Sequence, residues 1–353
     1  MPKSDLSCTQ KKKGKTNKKA KKNQDKRLQN RERQINNAHW DTDNYLHLVS
    51  IHFLICTEKT EHLGEDCGLE AYNQNAGLIG VFDGCGGLGA GICPAADNKT
   101  EAYLASRAIG NATYLWFVHG CTGMNFDLKL LKQIILSCLN HCKKYSNRSH
   151  SVIKGSLFKS YPSTMATIVS FVCNKQMMTQ HIWAGDSRTY LLDNDGLGQV
   201  STDDIQSGDA MTNLTNDGAL TNVISSDASF ELHSKALPIS RPTVLLAATD
   251  GCFGYVSSPM EFEFILLSTL FDSRNTAEWQ KNLKDKLDSI SGDDQTIAIE
   301  AIGFDTFTEM QDYYSERYAY IQRIQKTLEG SANDSITIST WDTYKTNYYR
   351  YAD

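Results

Sequence analysis

Apolar and polar positions fall along this chain in blocks of two kinds. Tyr45-Leu46-His47-Leu48-Val49-Ser50-Ile51-His52-Phe53-Leu54-Ile55-Cys56 is a β-rich run and predicts a strand. Gly77 to Phe82 climbs through a second apolar run, and runs at 165–173, 179–192, 243–249 and 296–302 predict further strands. Elsewhere the spacing shifts to three and four. Residues 99–118 and 125–145 predict helices, with Leu128, Leu131, Ile135 and Leu139 on one face, and 259–272 and 276–290 predict a second pair. Residues 304–328 predict another helix, aligning Met310, Tyr314, Tyr318 and Ile321, whereas 330–353, with Tyr344, Tyr348, Tyr349 and Tyr351, has no clear period. Those tyrosines are expected to pack on the body, the alternative being a partner. Helices segregated from β-rich blocks predict an α+β domain in layers rather than alternating βαβ units.

Composition narrows the picture. With 353 residues and 40% hydrophobic content, the chain can bury a large core, and one domain of about 250 residues with extensions fits that length. No stretch of eighteen apolar residues predicts a membrane span, and no apolar leader predicts secretion. None of the ten cysteines forms a CxxC pair, and Cys56 and Cys173 sit in apolar runs, which points to a reducing compartment and a cytoplasmic location. Cys138 and Cys142 share a helix face, but no second cluster completes zinc spacing, so packing is expected there.

Charge is uneven. Residues 1–35 hold 13 Lys and Arg against 3 Asp and Glu, a net of +10 that leaves −15 for the remainder of a chain of formal charge −5. Lysine runs with nothing to bury predict a disordered tail over residues 1–38. It is an electrostatic anchor for an acidic partner, a nuclear signal in a eukaryote, or simply a solubilising segment. Nucleic acid is not the expected partner, because the body is acidic and affinity for it needs a positive surface.

The candidate chemistry lies where apolar runs end in acidic turns. Val81-Phe82 leads into Asp83-Gly84, Ala248-Thr249 into Asp250-Gly251, and Ala184-Gly185 into Asp186-Ser187-Arg188. Asp293-Asp294 precedes the run from Gln295, and Glu65-Asp66 lies upstream of the first of these. Far-separated carboxylates at strand ends are what an all-oxygen divalent site needs, and glycine beside them lets backbone and phosphate approach closely.

This ordered set, together with Ser163-Thr164 and the Gly218-Ala219-Leu220-Thr221-Asn222-Val223-Ile224 segment, resembles the metal-dependent serine/threonine phosphatases of the type 2C class over roughly residues 45–303. The resemblance implies a four-layer α-β-β-α sandwich with two central antiparallel sheets. It implies a monomeric signalling hydrolase that takes phosphate off Ser/Thr phosphoproteins by in-line attack of a hydroxide bridging two Mn²⁺ or Mg²⁺ ions. Asp83 matches the carboxylate bridging both metals, the Gly84 carbonyl a backbone ligand, and Asp250 and Asp293 the carboxylates of the second metal. Asp66, with Glu65 as the alternative, matches the upstream ligand. Asp186 matches a carboxylate that orients a metal-bound water or a neighbouring loop. Residues 193–235 match a flap beside the active site, and 304–353 form an extension outside the resemblance.

Three positions depart from the pattern. Cys85 follows Asp83-Gly84 where eukaryotic members often carry His and bacterial ones Met, so the chain leans to the bacterial style. Its thiol is either oxidation-sensitive or packed inertly. Glu61 stands where many members place a phosphate-binding arginine, leaving Lys59 or His62 as cationic donors. No Asp precedes Ser163-Thr164 as a third-metal ligand, and Asp203, Asp204 and Asp209 are the alternatives. With Cys85 and Glu61, a catalytically impaired phosphoprotein-binding module is the competing reading; retention of Asp83, Asp250 and Asp293 together favours an enzyme.

Overall fold

The β-rich runs pair into two five-stranded antiparallel sheets in a computed structural model that describes residues 45–120, 126–146, 159–206, 208–214, 218–329 and 334–352. The lysine-rich tail lies outside the described residues. The first sheet has the order β1 (Ile51–Thr57), β12 (Gln295–Ile302), β11 (Thr243–Ala248), β8 (Arg188–Asp193), β9 (Gly196–Gln199). The second has the order β10 (His233–Ile239), β7 (Gln176–Ala184), β6 (Met165–Cys173), β3 (Ala76–Phe82), β2 (Cys67–Tyr72). A small ribbon pairs β4 (Ile92–Cys93) with β5 (Lys99–Thr100).

Both sheets are covered twice. On the outer face of the second sheet, helices α2 (Glu101–Gly120) and α3 (Leu128–Cys142) pack Trp116, Leu131, Ile135 and Leu139 against Leu78, Val169 and Ile182. On the first sheet, the short α4 (Asp250–Phe253) with α5 (Pro259–Phe271), α6 (Thr276–Asp288) and α7 (Phe307–Glu329) packs Phe253, Ile265, Leu283 and Met310 against Phe53, Leu246 and Ile299. The strands bury both faces, so β3 and β11 read as near-continuous apolar runs rather than alternating ones, and β12 buries even its Glu300. The result is the expected four-layer α-β-β-α arrangement. Caps set the helix starts: Asp127 accepts from the amides of Lys129 and Leu130, Ser258 from that of Glu261, and Asn275 from that of Glu278.

Three elements differ from the expectation. Residues 45–48 make one helical turn, α1 (Tyr45–Leu48), and the strand starts only at Ile51. The run 179–192 is two strands in different sheets, because Gly185 at φ +95° breaks it between β7 and β8. The segment without a period contains a helix, α8 (Asp334–Tyr348), whose Trp341, Tyr344 and Tyr348 are buried against the first sheet's core. Its remaining faces are polar and rich in β-branched Thr, so tertiary packing rather than helical propensity holds it.

Buried polar groups link the layers. Glu263 on α5 is fully buried and accepts from Arg317 of α7 at 2.5 and 2.8 Å, from the Tyr344 hydroxyl of α8 and from the Leu197 amide of β9 at 3.2 Å. Between the sheets, Glu300 of β12 accepts from Ser170 Oγ of β6 at 2.5 Å and from Tyr45 Oη at 3.2 Å. Burial pushes the Glu300 carboxyl up to about 7.

Candidate active site

Strand register brings the acidic turns to one edge of the sandwich. In the second sheet Cys67 pairs with Phe82, so Asp66 and Asp83, each one residue further along, meet at the same end. In the first sheet Ala248 of β11 pairs with Arg188 of β8 and with Ile297 of β12, which carries Asp250, Asp186 and the 293–294 turn to one end. Threonines close the two sheets there. Thr249 Oγ1 donates to Asp66 Oδ2 at 2.8 Å and accepts from the Thr296 amide at 2.9 Å, while Thr164 and Ser187 share a hydroxyl bond of 2.6 Å. The Thr164 amide donates to the Asp83 carbonyl at 2.8 Å, and Gly84 bridges to Ser163.

Two glycines are required by close approach. A Cβ at Gly84 would lie 2.6 Å from the Ala102 carbonyl oxygen, and one at Gly251 would lie 1.8 Å from that of Asp294. Asp294 itself ties strand ends together, its two carboxylate oxygens accepting from the backbone amides of Lys59 at 2.8 Å and Glu65 at 2.7 Å.

The electrostatics are those of carboxylates crowded in a low-dielectric edge. Burial, then the charges of Asp250 and Asp294, push Asp66 up to about 7 against the bond from Thr249. Burial, then Asp250 and Asp203, push Asp186 up to about 7. Asp83 is raised well above the usual carboxylate range by burial and by Asp66, Asp250, Asp186 and Asp293. Mutual repulsion on this scale is relieved by protons or by hard cations, and the all-oxygen donor set suits the latter. Among the described residues, no three His, Cys, Asp or Glu side chains stand grouped closely enough to hold one ion as they are. In chemistry and charge the all-oxygen donors suit a divalent cation.

A cavity of about 360 Å³ opens on this edge. Asp186, Asp250 and Asp293 line it, together with Arg188, Asp203, Phe253 and Tyr255 and with Ile205, Asn213, Leu214 and Gly218 from the segment after β9; Asp66, Asp83 and Gly84 are not in its lining. The loop after β9 therefore does reach the site. Arg188 is a residue that motif reading passed over as part of Gly-Asp-Ser-Arg. Its guanidinium is buried, lies over the Phe253 ring at 4.1 Å and is chelated by Asp203, with Nη2 to Oδ2 at 2.6 Å.

Several expected residues lie elsewhere. Lys59 Nζ donates to the Ser291 carbonyl at 3.0 Å, and His62 is 83% exposed beside Glu61; neither lines the cavity. Glu65 turns its carboxylate to the Thr100 hydroxyl. Cys85 is partly buried, and burial and the surrounding carboxylates push its thiol well up. The three alternatives for a third-metal ligand are already engaged: Asp203 by Arg188, Asp204 by Asn222 at 2.7 Å and His233 at 2.9 Å, and Asp209 by Trp341 at 2.7 Å.

No protein-family model and no curated protein sequence matches the chain. Solved structures do. Serine/threonine phosphatase Stp1 from Staphylococcus aureus superposes with a TM-score of 0.52 at 17% identity, over 72% of this chain and 95% of that one. A bacterial serine phosphatase gives 0.51 at 17%, over 71% and 97%. The Mycobacterium tuberculosis serine/threonine phosphatase PstP/Ppp gives 0.50 at 14%, over 72% and 98%. The chain shares the fold of these bacterial serine/threonine phosphatases.

Proposed function

We propose that this protein is a metal-dependent serine/threonine phosphoprotein phosphatase. The observation that carries the reading is the meeting of Asp66, Asp83, Asp186 and Asp250 at one edge of a fold shared with bacterial serine/threonine phosphatases, each of the first three raised in pKa by burial and by its neighbours' charge. Asp83, Gly84, Asp66, Asp250 and Asp293 would hold two Mn²⁺ or Mg²⁺ ions, with Glu65 near the upstream ligand. Such ions supply positive charge to the transferring phosphoryl group and lower the pKa of water. The chain's own residues do the rest. Thr249 fixes the Asp66 rotamer, Gly84 and Gly251 let the backbone come close, and Asp186 presents a carboxylate to the cavity to orient water. The cavity lined by Asp186, Asp250 and Asp293 would receive the phosphate, with Tyr255, which is 48% exposed, also in its lining.

One observation weighs against turnover and keeps the competing reading, a catalytically impaired phosphoprotein-binding module, in play. Arg188 is already neutralised by Asp203, and neither Lys59 nor His62 reaches the cavity. The test is hydrolysis of p-nitrophenyl phosphate and a phosphothreonine peptide with Mn²⁺ and with EDTA, for wild type and Asp250→Asn. Turnover that needs the metal and falls by at least about a hundredfold in the variant supports the phosphatase. A folded, metal-loaded protein that binds the phosphopeptide without turnover supports the module.

A further inference from the structure

The C-terminal helix α8 lies outside the motif-bearing region, yet it is bonded to the loop that forms one wall of the cavity. Trp341 Nε1 donates to Asp209 Oδ2 at 2.7 Å across 132 residues of chain. The other oxygen of the same carboxylate, Oδ1, accepts from the Thr212 amide and the Thr212 hydroxyl, both at 2.9 Å, and the Asn213 amide donates to the Asp209 carbonyl at 2.9 Å. Asp209 thus joins the helix on one side to the turn that presents Asn213 and Leu214 to the cavity on the other. A second bond runs in parallel, from the Ala210 amide to the Tyr349 hydroxyl at 2.6 Å, directly after the helix.

The same helix also backs the opposite part of the wall. Tyr348 packs against Trp341 at 5.4 Å and against Tyr190 at 6.3 Å, and the Tyr190 hydroxyl accepts from Arg188 Nη1 at 3.4 Å. The helix is itself held to the body: Asn347 donates to the Asp195 carbonyl at 2.5 Å, Arg350 to the Gly196 carbonyl at 2.7 Å, and Tyr344 to buried Glu263. The 208–214 segment is thereby tied by one charge-assisted bond and one neutral bond to a buried aromatic cluster.

We infer that Trp341 and Tyr349 are positioning residues for substrate, setting the 208–214 wall against the carboxylate edge so that the cavity fits the peptide around a phosphorylated side chain. The inference rests on the phosphatase reading. Pre-set wall geometry lowers the ordering cost of binding and leaves the chemistry at the carboxylates alone, so its signature is in KM and grows with substrate size.

The experiment uses the full chain with Mn²⁺ and compares Trp341→Phe, Tyr349→Phe, Asp209→Ala and the Trp341→Phe/Asp209→Ala double variant. Tyr349→Phe keeps its ring and removes only the hydroxyl, whereas Trp341→Phe removes the donor together with part of the indole, so Tyr349→Phe is the cleaner of the two. Expected is a rise in KM for a phosphothreonine peptide of roughly three- to tenfold, the loss of one buried hydrogen bond. KM for p-nitrophenyl phosphate changes less, kcat on both is retained, and the double variant is no worse than Asp209→Ala alone. Unchanged KM for the peptide in folded Trp341→Phe and Tyr349→Phe overturns the inference. So does an equal loss of kcat on both substrates that tracks a fall in Tm, which marks a purely structural role. If Trp341→Phe does not fold, Tyr349→Phe decides alone. A wild type without turnover on either substrate refutes the phosphatase reading instead, and peptide affinity measured on the same variants then reads the wall directly.

Discussion

Glu300 shows how one buried residue carries a pH dependence. It has two donors on Oε1, and its carboxyl is raised to about 7 from an ordinary 4.5 chiefly by burial. A folded-state pKa above the unfolded one means that the native state binds the proton more tightly. Stability from this group is therefore greatest below pH 4.5, falls as pH rises from there to about 7, and is flat above. Glu300→Gln is expected to be near neutral in stability at pH 5 and stabilising by about 1–3 kcal/mol at pH 8, measured by urea denaturation at both values. Equal effects at the two values would refute the assignment. Gly251 makes a steric case: a Cβ there meets the Asp294 carbonyl at 1.8 Å, so Gly251→Ala is expected to cost about 2–4 kcal/mol by displacing the turn that carries Asp293. A smaller loss than Gly87→Ala, where a Cβ meets nothing within 4 Å, would show that the contact is easily relieved.

At the scale of elements, register matters more than any single strand. Cys67 opposite Phe82 and Ala248 opposite Arg188 deliver carboxylates from both sheets to one edge, and a slip of one residue would turn them to the other face. The α5, α7 and α8 helices depend on Glu263, which has no exposed surface and takes donors from three other elements. Glu263→Leu leaves Arg317 buried without its partner, and a loss of about 3–5 kcal/mol is expected. Replacing both, as Glu263→Leu with Arg317→Met, should recover a large part of it. No recovery in thermal unfolding would mean that the pair is not the source of the loss.

For the whole molecule, the acidic edge predicts linkage between cation and fold. Carboxylates that repel one another in the folded state are more comfortable with a cation among them than in the open chain. Millimolar Mn²⁺ or Mg²⁺ is expected to raise Tm by several degrees at pH 7.5, and Asp250→Asn to reduce that shift. A shift unchanged in Asp250→Asn would place any bound cation elsewhere. Among the described residues no helix is long and apolar enough to cross a membrane.

What the amino-acid order determined by itself was the set of local elements and the identity of the acidic turns. Near-continuous apolar runs made β3 and β11 legible, because strands buried on both faces need no polar alternation. Apolar residues at three- and four-residue spacing made α3 legible, and glycine beside aspartate marked Asp83, Asp186 and Asp250. What only the tertiary structure decided was which turns meet and what else reaches them. Register between strands far apart in sequence brings Asp66 to Asp83. A cavity wall gathers Arg188 and Leu214, and these carried no motif as ligands. The helix containing Trp341 has weak propensity, and its buried Trp341, Tyr344 and Tyr348 are spaced among threonines and other aromatics, so the period shows only once the cluster that it joins exists. Lys59 and His62 show the same limit in reverse: a sequence offset names a nearby cation, but direction is set by the turn, which here leads Lys59 to the Ser291 carbonyl and His62 to solvent.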